Sequence, residues 1–181
     1  MDPVKENKPR IATVWLGGCS GCHMSFLDLD ERLLELAARA DIVASPIVDT
    51  KEFPEADITL VEGAVANVEH LEQIREIRAK TKILVAFGDC AVTGNVTALR
   101  NLFDVEDVLN RSYKETALPV IGVPAGNPIV PALLERVRPV HEVVPVDYFL
   151  QGCPPSADEI CRFLFDLLDG KKEPAKPGRF G

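Results

Sequence analysis

Short apolar, β-branched runs recur along this chain, and where several of them end the sequence turns to glycine and cysteine. Ile11–Leu16 leads into Gly17-Gly18-Cys19-Ser20-Gly21-Cys22, and Lys82–Phe87 leads into Gly88-Asp89-Cys90. A later run, Glu142–Val146, precedes Gly152-Cys153-Pro154-Pro155 after a short link. Glycine within two residues before each cysteine lets the backbone approach a bulky inorganic group closely. Four thiolates with small neighbours match the needs of a [4Fe-4S] cluster.

The runs alternate with helical periodicity. Five strands are predicted, at Ile11–Leu16, Asp41–Pro46, Asp57–Val61, Lys82–Phe87 and Glu142–Val146. Between them, Leu29, Leu33, Leu36, Ala37 and Ala40 recur at helical spacing. Asn67 is placed to cap a helix carrying Val68, Leu71, Ile74 and Ile77. Short helices are expected near 95–103 and 104–110, a short extended piece at Pro119–Val123 and a helix at Ile129–Val137. Ser156 and Glu159 form a capping box that opens a last helix with Ile160, Phe163, Leu164, Leu167 and Leu168, ending at Gly170. Alternation of this kind predicts an α/β fold with a doubly wound parallel sheet. The expected organisation is a single domain over 1–181, with a loose start at 1–9 and an irregular tail at 171–181.

In such sheets, ligands bind beyond the carboxyl ends of the strands. Parallel strands therefore bring Cys19 and Cys22, Cys90, Cys153 and the strand-end Glu62 to one edge. Alternatives attach to each part. Cys19-x-x-Cys22 alone also fits a redox dithiol or half a zinc site, although structural zinc sites favour two close pairs. Cys90 alone reads as a buried small hydrophobe. Cys161, inside the last helix, reads as a core or partner-facing residue. Glu62 is placed either to hydrogen-bond the cysteine loop, to relay protons or simply to sit in solvent. Trp15 is expected to pack near the cluster edge or in the core, and His23, His70 and His141 to be ordinary surface or packing residues.

A net charge of −8 disfavours nucleic acid. The apolar runs are too short to span a bilayer, and the first residues have neither an apolar core nor twin arginines, so neither membrane nor export is expected. Five cysteines then point to a reducing, cytoplasmic setting. No Gly-x-Gly-x-x-Gly fingerprint or Walker loop is present, so NAD is not expected to bind this chain.

Four stretches together resemble the small subunit of nickel–iron hydrogenases: Trp15-Leu16-Gly17-Gly18-Cys19-Ser20-Gly21-Cys22, Val61-Glu62-Gly63-Ala64-Val65, Gly88-Asp89-Cys90-Ala91-Val92-Thr93-Gly94-Asn95 and Gly152-Cys153-Pro154-Pro155. The resemblance runs from residue 11 to about 168. It implies a flavodoxin-like fold in which Cys19, Cys22, Cys90 and Cys153 hold one [4Fe-4S] cluster, with the nickel–iron centre on a separate large subunit. Backbone N–H groups of Ser20, Gly21 and Ala91 become candidate donors to cluster sulfur. The short chain is most similar to the soluble bidirectional NAD-reducing type. There, diaphorase subunits carrying flavin and further iron–sulfur clusters hold the NAD site (H2 + NAD+ = H+ + NADH). Sulfhydrogenase and methanogen small subunits are similar as well. The related complex I subunit has adjacent cysteines where this chain has Cys-x-x-Cys. The cysteine pair occupies the place of a flavodoxin phosphate loop, which argues against FMN in this domain.

Overall fold

A computed structural model describes residues 8–48, 50–119, 122–124 and 129–174. Its strands are β1 (Arg10–Trp15), β2 (Asp41–Ala44), β3 (Ala56–Glu62), β4 (Val65–Asn67), β5 (Thr81–Phe87), β6 (Leu133–Arg138) and β7 (Tyr148–Leu150). Five of them form a parallel sheet in the order β2-β1-β3-β5-β7, while β4 and β6 pair antiparallel as a separate ribbon. This is the flavodoxin-like order, with its switch point between β1 and β3. Ile11, Ala12, Leu60, Val61, Leu84, Val85 and Ala86 are fully buried. Cover on both faces is why these strands read as continuous apolar runs rather than alternating ones.

The helices are α1 (Gly21–Leu27), α2 (Arg32–Arg39), α3 (Val68–Ala79), α4 (Asp89–Thr93), α5 (Asn95–Ala98), α6 (Val105–Asn110) and α7 (Ala157–Leu168). On one face of the sheet, Phe26, Leu29 and Leu36 of the α1–α2 segment pack with Ile160, Phe163 and Leu164 of α7. On the other, Ile74 and Ile77 of α3 and Ala91 and Val92 of α4 pack against Val14, Val61, Leu84 and Ala86. The expected caps are present. The Asn67 side chain accepts from the His70 N–H at 2.7 Å, and Ser156 with Glu159 closes a capping box at α7.

Two predicted elements are corrected. Ile129–Val137 is not a helix: its second half is β6, paired with β4 through Val65↔Arg138 and Asn67↔Leu133. Backbone pairing to a distant segment overrides the local helical spacing. Glu142–Val146 is not a strand either. Val140–Glu142 forms a 3₁₀ turn, Val143 is helical in φ and ψ, and the Val144 N–H bonds the Val140 carbonyl at 3.1 Å. Val140 and Val144 thereby bury on the same side. The fifth strand comes later, at Tyr148–Leu150, after Asp147 has latched onto Leu84 in both directions, N–H to carbonyl at 2.9 Å and carboxylate from N–H at 2.8 Å. The Pro119–Val123 expectation falls partly outside the described residues.

What positions the site is the register. Trp15 pairs with Glu62, Glu62 with Phe87, and Phe87 with Leu150. One transverse row thus ends four strands at the same edge, and every cysteine of interest lies a few residues beyond it.

Replacing Leu164 by Ala, which empties a fully buried position, is expected to cost about 2–5 kcal/mol. Loss of the α7 cap in Ser156→Ala is expected to cost about 1 kcal/mol. Urea unfolding of the two variants checks both the order and the size of these effects.

Candidate metal centre at the carboxyl edge of the sheet

The chain leaving β1 is drawn tightly against the chain leaving β3. The Leu16 N–H bonds the Glu62 carbonyl at 2.8 Å, and Gly17 and Ala64 exchange N–H···O bonds at 2.9 and 2.7 Å. Between them Gly63 sits at φ 88°, where a Cβ would lie 2.9 Å from the Leu16 carbonyl carbon. Only glycine meets both the positive φ and the close approach. The Cys19-Ser20-Gly21-Cys22 loop starts from this pinned segment, and Ser20, at φ 66°, turns the chain into α1.

Glu62 then locks the loop. It is 3% exposed, and its two carboxylate oxygens accept from the backbone N–H groups of Cys22 at 3.2 Å and His23 at 3.0 Å. These are free donors of the first turn of α1, which a carboxylate satisfies well. His23 Nδ1 makes a short contact with the same carboxylate. The solvent reading of Glu62 is therefore overturned, because the strand end carries it under the helix start. The surface reading of His23 is also corrected. Its ring is 4% exposed and lies edge-on to both Trp15 and Phe87, with centroids 5.3 and 6.1 Å apart. Nothing in the sequence flagged this pair, since the partners are far apart and meet only across the β1–β3 switch. Trp15 is not a core residue. It remains 41% exposed at the strand edge and covers the His23 ring.

A second set of bonds fixes the other two cysteines. Gly88 N–H bonds the Leu150 carbonyl at 2.7 Å, Asp89 N–H bonds the Gly152 carbonyl at 2.9 Å, and Asp89 Oδ1 accepts from Gly152 N–H at 2.8 Å. Cys90 and Cys153 are thereby clamped together from opposite ends of the second half of the chain. Ser25 Oγ donates to the Pro155 carbonyl at 2.6 Å, tying α1 to the Cys153 loop.

The four cysteines predicted as ligands are free thiols a few residues beyond this strand row, Cys22 and Cys90 buried and Cys19 and Cys153 exposed, and no group of three or more His, Cys, Asp or Glu among the described residues is arranged to hold a metal ion. A Cβ added to Gly88 would overlap Cys22 Sγ, and one on Gly21 would lie 3.3 Å from Cys19 Sγ. The small residues thus clear space around sulfur. Burial pushes the Cys22 thiol well above its ordinary value, with Glu62 and then Cys90, Cys19 and Cys153 adding to the effect. Cys90 is also raised, by burial first and then by Cys19. Each of the four thiols is thus within electrostatic reach of another. Four soft sulfurs beyond one strand edge, two of them beside glycine, are the donor chemistry of an iron–sulfur group and do not suit hard cations. Of the three predicted backbone donors, Ala91 gives its N–H to the Gly88 carbonyl at 3.1 Å, a turn bond that takes it from the sulfurs. Cys161 is buried in the α7 core, away from this edge.

Comparisons with known proteins give the family. The chain belongs to the family of the NADH ubiquinone oxidoreductase 20 kDa subunit, whose sequence profile matches residues 19–167. It is 42% identical to the delta subunit of the NAD-reducing hydrogenase HoxS of Cupriavidus necator, over 94% of this chain and 86% of that one. It is 39% identical to one component of the F420-non-reducing hydrogenase of Methanothermobacter marburgensis, over 91% of this chain but only 55% of that longer one. In three dimensions it matches a chain of an NAD+-reducing [NiFe]-hydrogenase crystallised in the H2-reduced state. That match has a TM-score of 0.90 and 48% identity, and covers 95% of this chain and 97% of that one.

In the metal-free chain, iodoacetamide is expected to label Cys19 and Cys153 ahead of the buried Cys22, Cys90 and Cys161, as read by peptide mass spectrometry. The pH dependence has a definite sign. Folding holds Cys22 and Cys90 protonated beyond their ordinary value of 9.0, so their contribution to stability is intact below about pH 9. It is lost progressively as pH rises above that value. A metal-free chain whose urea midpoint rises between pH 8.5 and 10.5 would contradict this placement.

Proposed function

We propose that this chain, a single domain, is the electron-transfer small subunit of a nickel–iron hydrogenase of the NAD-reducing type, with Cys19, Cys22, Cys90 and Cys153 holding one [4Fe-4S] cluster. The reading is supported by four cysteines a few residues beyond the ends of three strands of one parallel sheet, in a chain 42% identical to a subunit of an NAD-reducing hydrogenase. When bound, such a cluster supplies one-electron transfer.

The chain's own residues serve that role in distinct ways. The Glu62 carboxylate fixes the backbone of Cys22 and His23, and with it the orientation of the first cysteine loop. The Asp89–Gly152 bonds do the same for Cys90 and Cys153. Burial of Cys22 and Cys90 keeps water from half of the site. Ser20 and Gly21 are the remaining candidate backbone donors to sulfur. A proton-relay role for Glu62 is not favoured, because its oxygens already hold backbone N–H groups and His23.

The reaction served is H2 + NAD+ = H+ + NADH. The nickel–iron centre is assigned to a large subunit, and flavin, further iron–sulfur clusters and the NAD site to diaphorase subunits. An exposed apolar stretch, Val96, Leu99, Leu102 and Phe103, follows the Cys90 helix directly and supports docking of a protein partner beside the site. No helix among the described residues is long and apolar enough to cross a membrane. A cytoplasmic setting, where thiols stay reduced, completes the reading.

Anaerobic purification followed by iron, sulfide and zinc analysis tests the proposal. About four iron and four sulfide per chain are expected. Serine at position 19, 22, 90 or 153 is expected to lower iron content, and Cys161→Ser to leave it unchanged. Zinc without iron would leave a structural metal site, and full activity in Cys90→Ser and Cys153→Ser would favour a dithiol enzyme using Cys19 and Cys22 alone.

A further inference from the structure

One turn at this edge has a role that none of the cysteine positions explains. Helix α4, which carries Cys90, stops at Gly94 with φ 85°, and the next residue, Asn95, is also left-handed at φ 33°. Glycine adopts positive φ without penalty, so the cost falls on Asn95, and asparagine is among the few L-residues that tolerate the region. Such a conformation persists only where its surroundings hold it.

Here they do. The Gly94 N–H bonds the Cys90 carbonyl at 3.0 Å, and the Asn95 N–H bonds Thr93 Oγ1 at 3.3 Å. Thr93 Oγ1 in turn donates to the Asp89 carbonyl at 2.9 Å. On the other side, Thr97 Oγ1 donates to the Gly17 carbonyl at 2.9 Å. A Cβ on Gly94 would press on the Ala98 side chain at 2.8 Å, so the turn has little room to open. It is stapled at one end to the Cys90 helix and at the other to the segment that begins the first cysteine loop.

The product of this bracing is a single aimed donor. Asn95 Nδ2 lies 3.3 Å from Cys153 Sγ, 58 residues away in sequence. Asparagine is uncharged, so it adds a hydrogen bond to sulfur without changing the charge of the site. A donor to a ligand sulfur favours the more electron-rich state of the group that the sulfur holds. The rest of the site contains the opposing influence, the Glu62 carboxylate bonded to the backbone beside Cys22.

We propose that Asn95 is a tuning residue: its carboxamide N–H donates to Cys153 Sγ and raises the reduction potential of the iron–sulfur group held by the four cysteines. This rests on the reading given under Proposed function.

The test compares the anaerobically purified complex carrying the parent chain with Asn95→Gly and Asn95→Asp variants, by EPR-monitored redox titration. Glycine keeps the left-handed backbone and removes only the donor; aspartate keeps the shape and replaces the donor with a negative oxygen. The expected result is equal iron content and one signal moved to lower potential. At fixed potential, its ratio of reduced to oxidised form should fall about tenfold in Asn95→Gly, equivalent to about 59 mV for one electron. The fall should be larger in Asn95→Asp, with all other signals unmoved. After transfer to D2O, the parent should also show an exchangeable deuteron coupled to the cluster that Asn95→Gly lacks. Unchanged midpoints in both variants would overturn the inference. So would loss of iron from Asn95→Gly, which would make the residue structural rather than tuning. A parent complex with no iron–sulfur group on this chain would instead sink the functional reading on which the inference rests.

Discussion

The parallel register of β1, β3, β5 and β7 is the constraint on which everything else at this edge depends. Trp15, Glu62, Phe87 and Leu150 form one continuous row across the sheet. Because the strands are parallel, each chain segment leaves the row in the same direction, and the residues that follow share one rim. A slip of one residue in any strand would reverse its faces and bury its polar end. Strands covered on both sides by helices make that slip expensive, since every position has a packed neighbour.

Close backbone approach converts this shared rim into a site. Gly63 lets the ends of β1 and β3 touch, and Gly88 leaves room for Cys22 sulfur beside the Cys90 turn. Glycine at these two positions has different reasons. The first answers to backbone packed against backbone, the second to the volume that sulfur needs. Around this frame sit three sets of polar clamps, Glu62 on the first cysteine pair, Asp89 with Gly152 on the second, and the Thr93–Thr97 turn bridging them. All three hold backbone in place by hydrogen bonds from side chains that are themselves fixed at strand or helix ends. These bonds fix the backbone on either side of the cysteines, so their positions do not depend on the thiols alone.

The partition of charge across the site is also uneven. Cys22 lies in the apolar core beside Phe26 and Phe87, close to the Glu62 carboxylate, whereas Cys153 is exposed and meets an amide donor. Four cysteines that look alike in sequence thus divide into two that are buried and two that are exposed. The exposed apolar residues Val96, Leu99, Leu102 and Phe103 follow Asn95, the residue that meets Cys153.

Much of this was legible before any coordinates. The strands and helix caps carry local signals: continuous apolar runs, Asn67 ahead of an amphipathic helix, Ser156 three residues before Glu159. The four cysteines could be assigned to one edge because strand–helix alternation dictates parallel strands and parallel strands dictate a common carboxyl rim. What the sequence could not reveal depended on partners distant along the chain. The segment read as a helix before residue 138 became β6 because β4 offered it a ladder, and the valines after Pro139 folded into a turn because Val140 and Val144 had a core to enter. His23 appeared ordinary until the sheet carried Glu62 beneath it, and Asn95 was one residue of a motif until the Cys153 loop arrived at its side chain. The candidate ligands and the fold class were properties of local pattern and chain order. The second layer of the site, the pairs that hold those cysteines and modulate them, was decided only by tertiary structure, because its hydrogen bonds join residues that no local pattern relates.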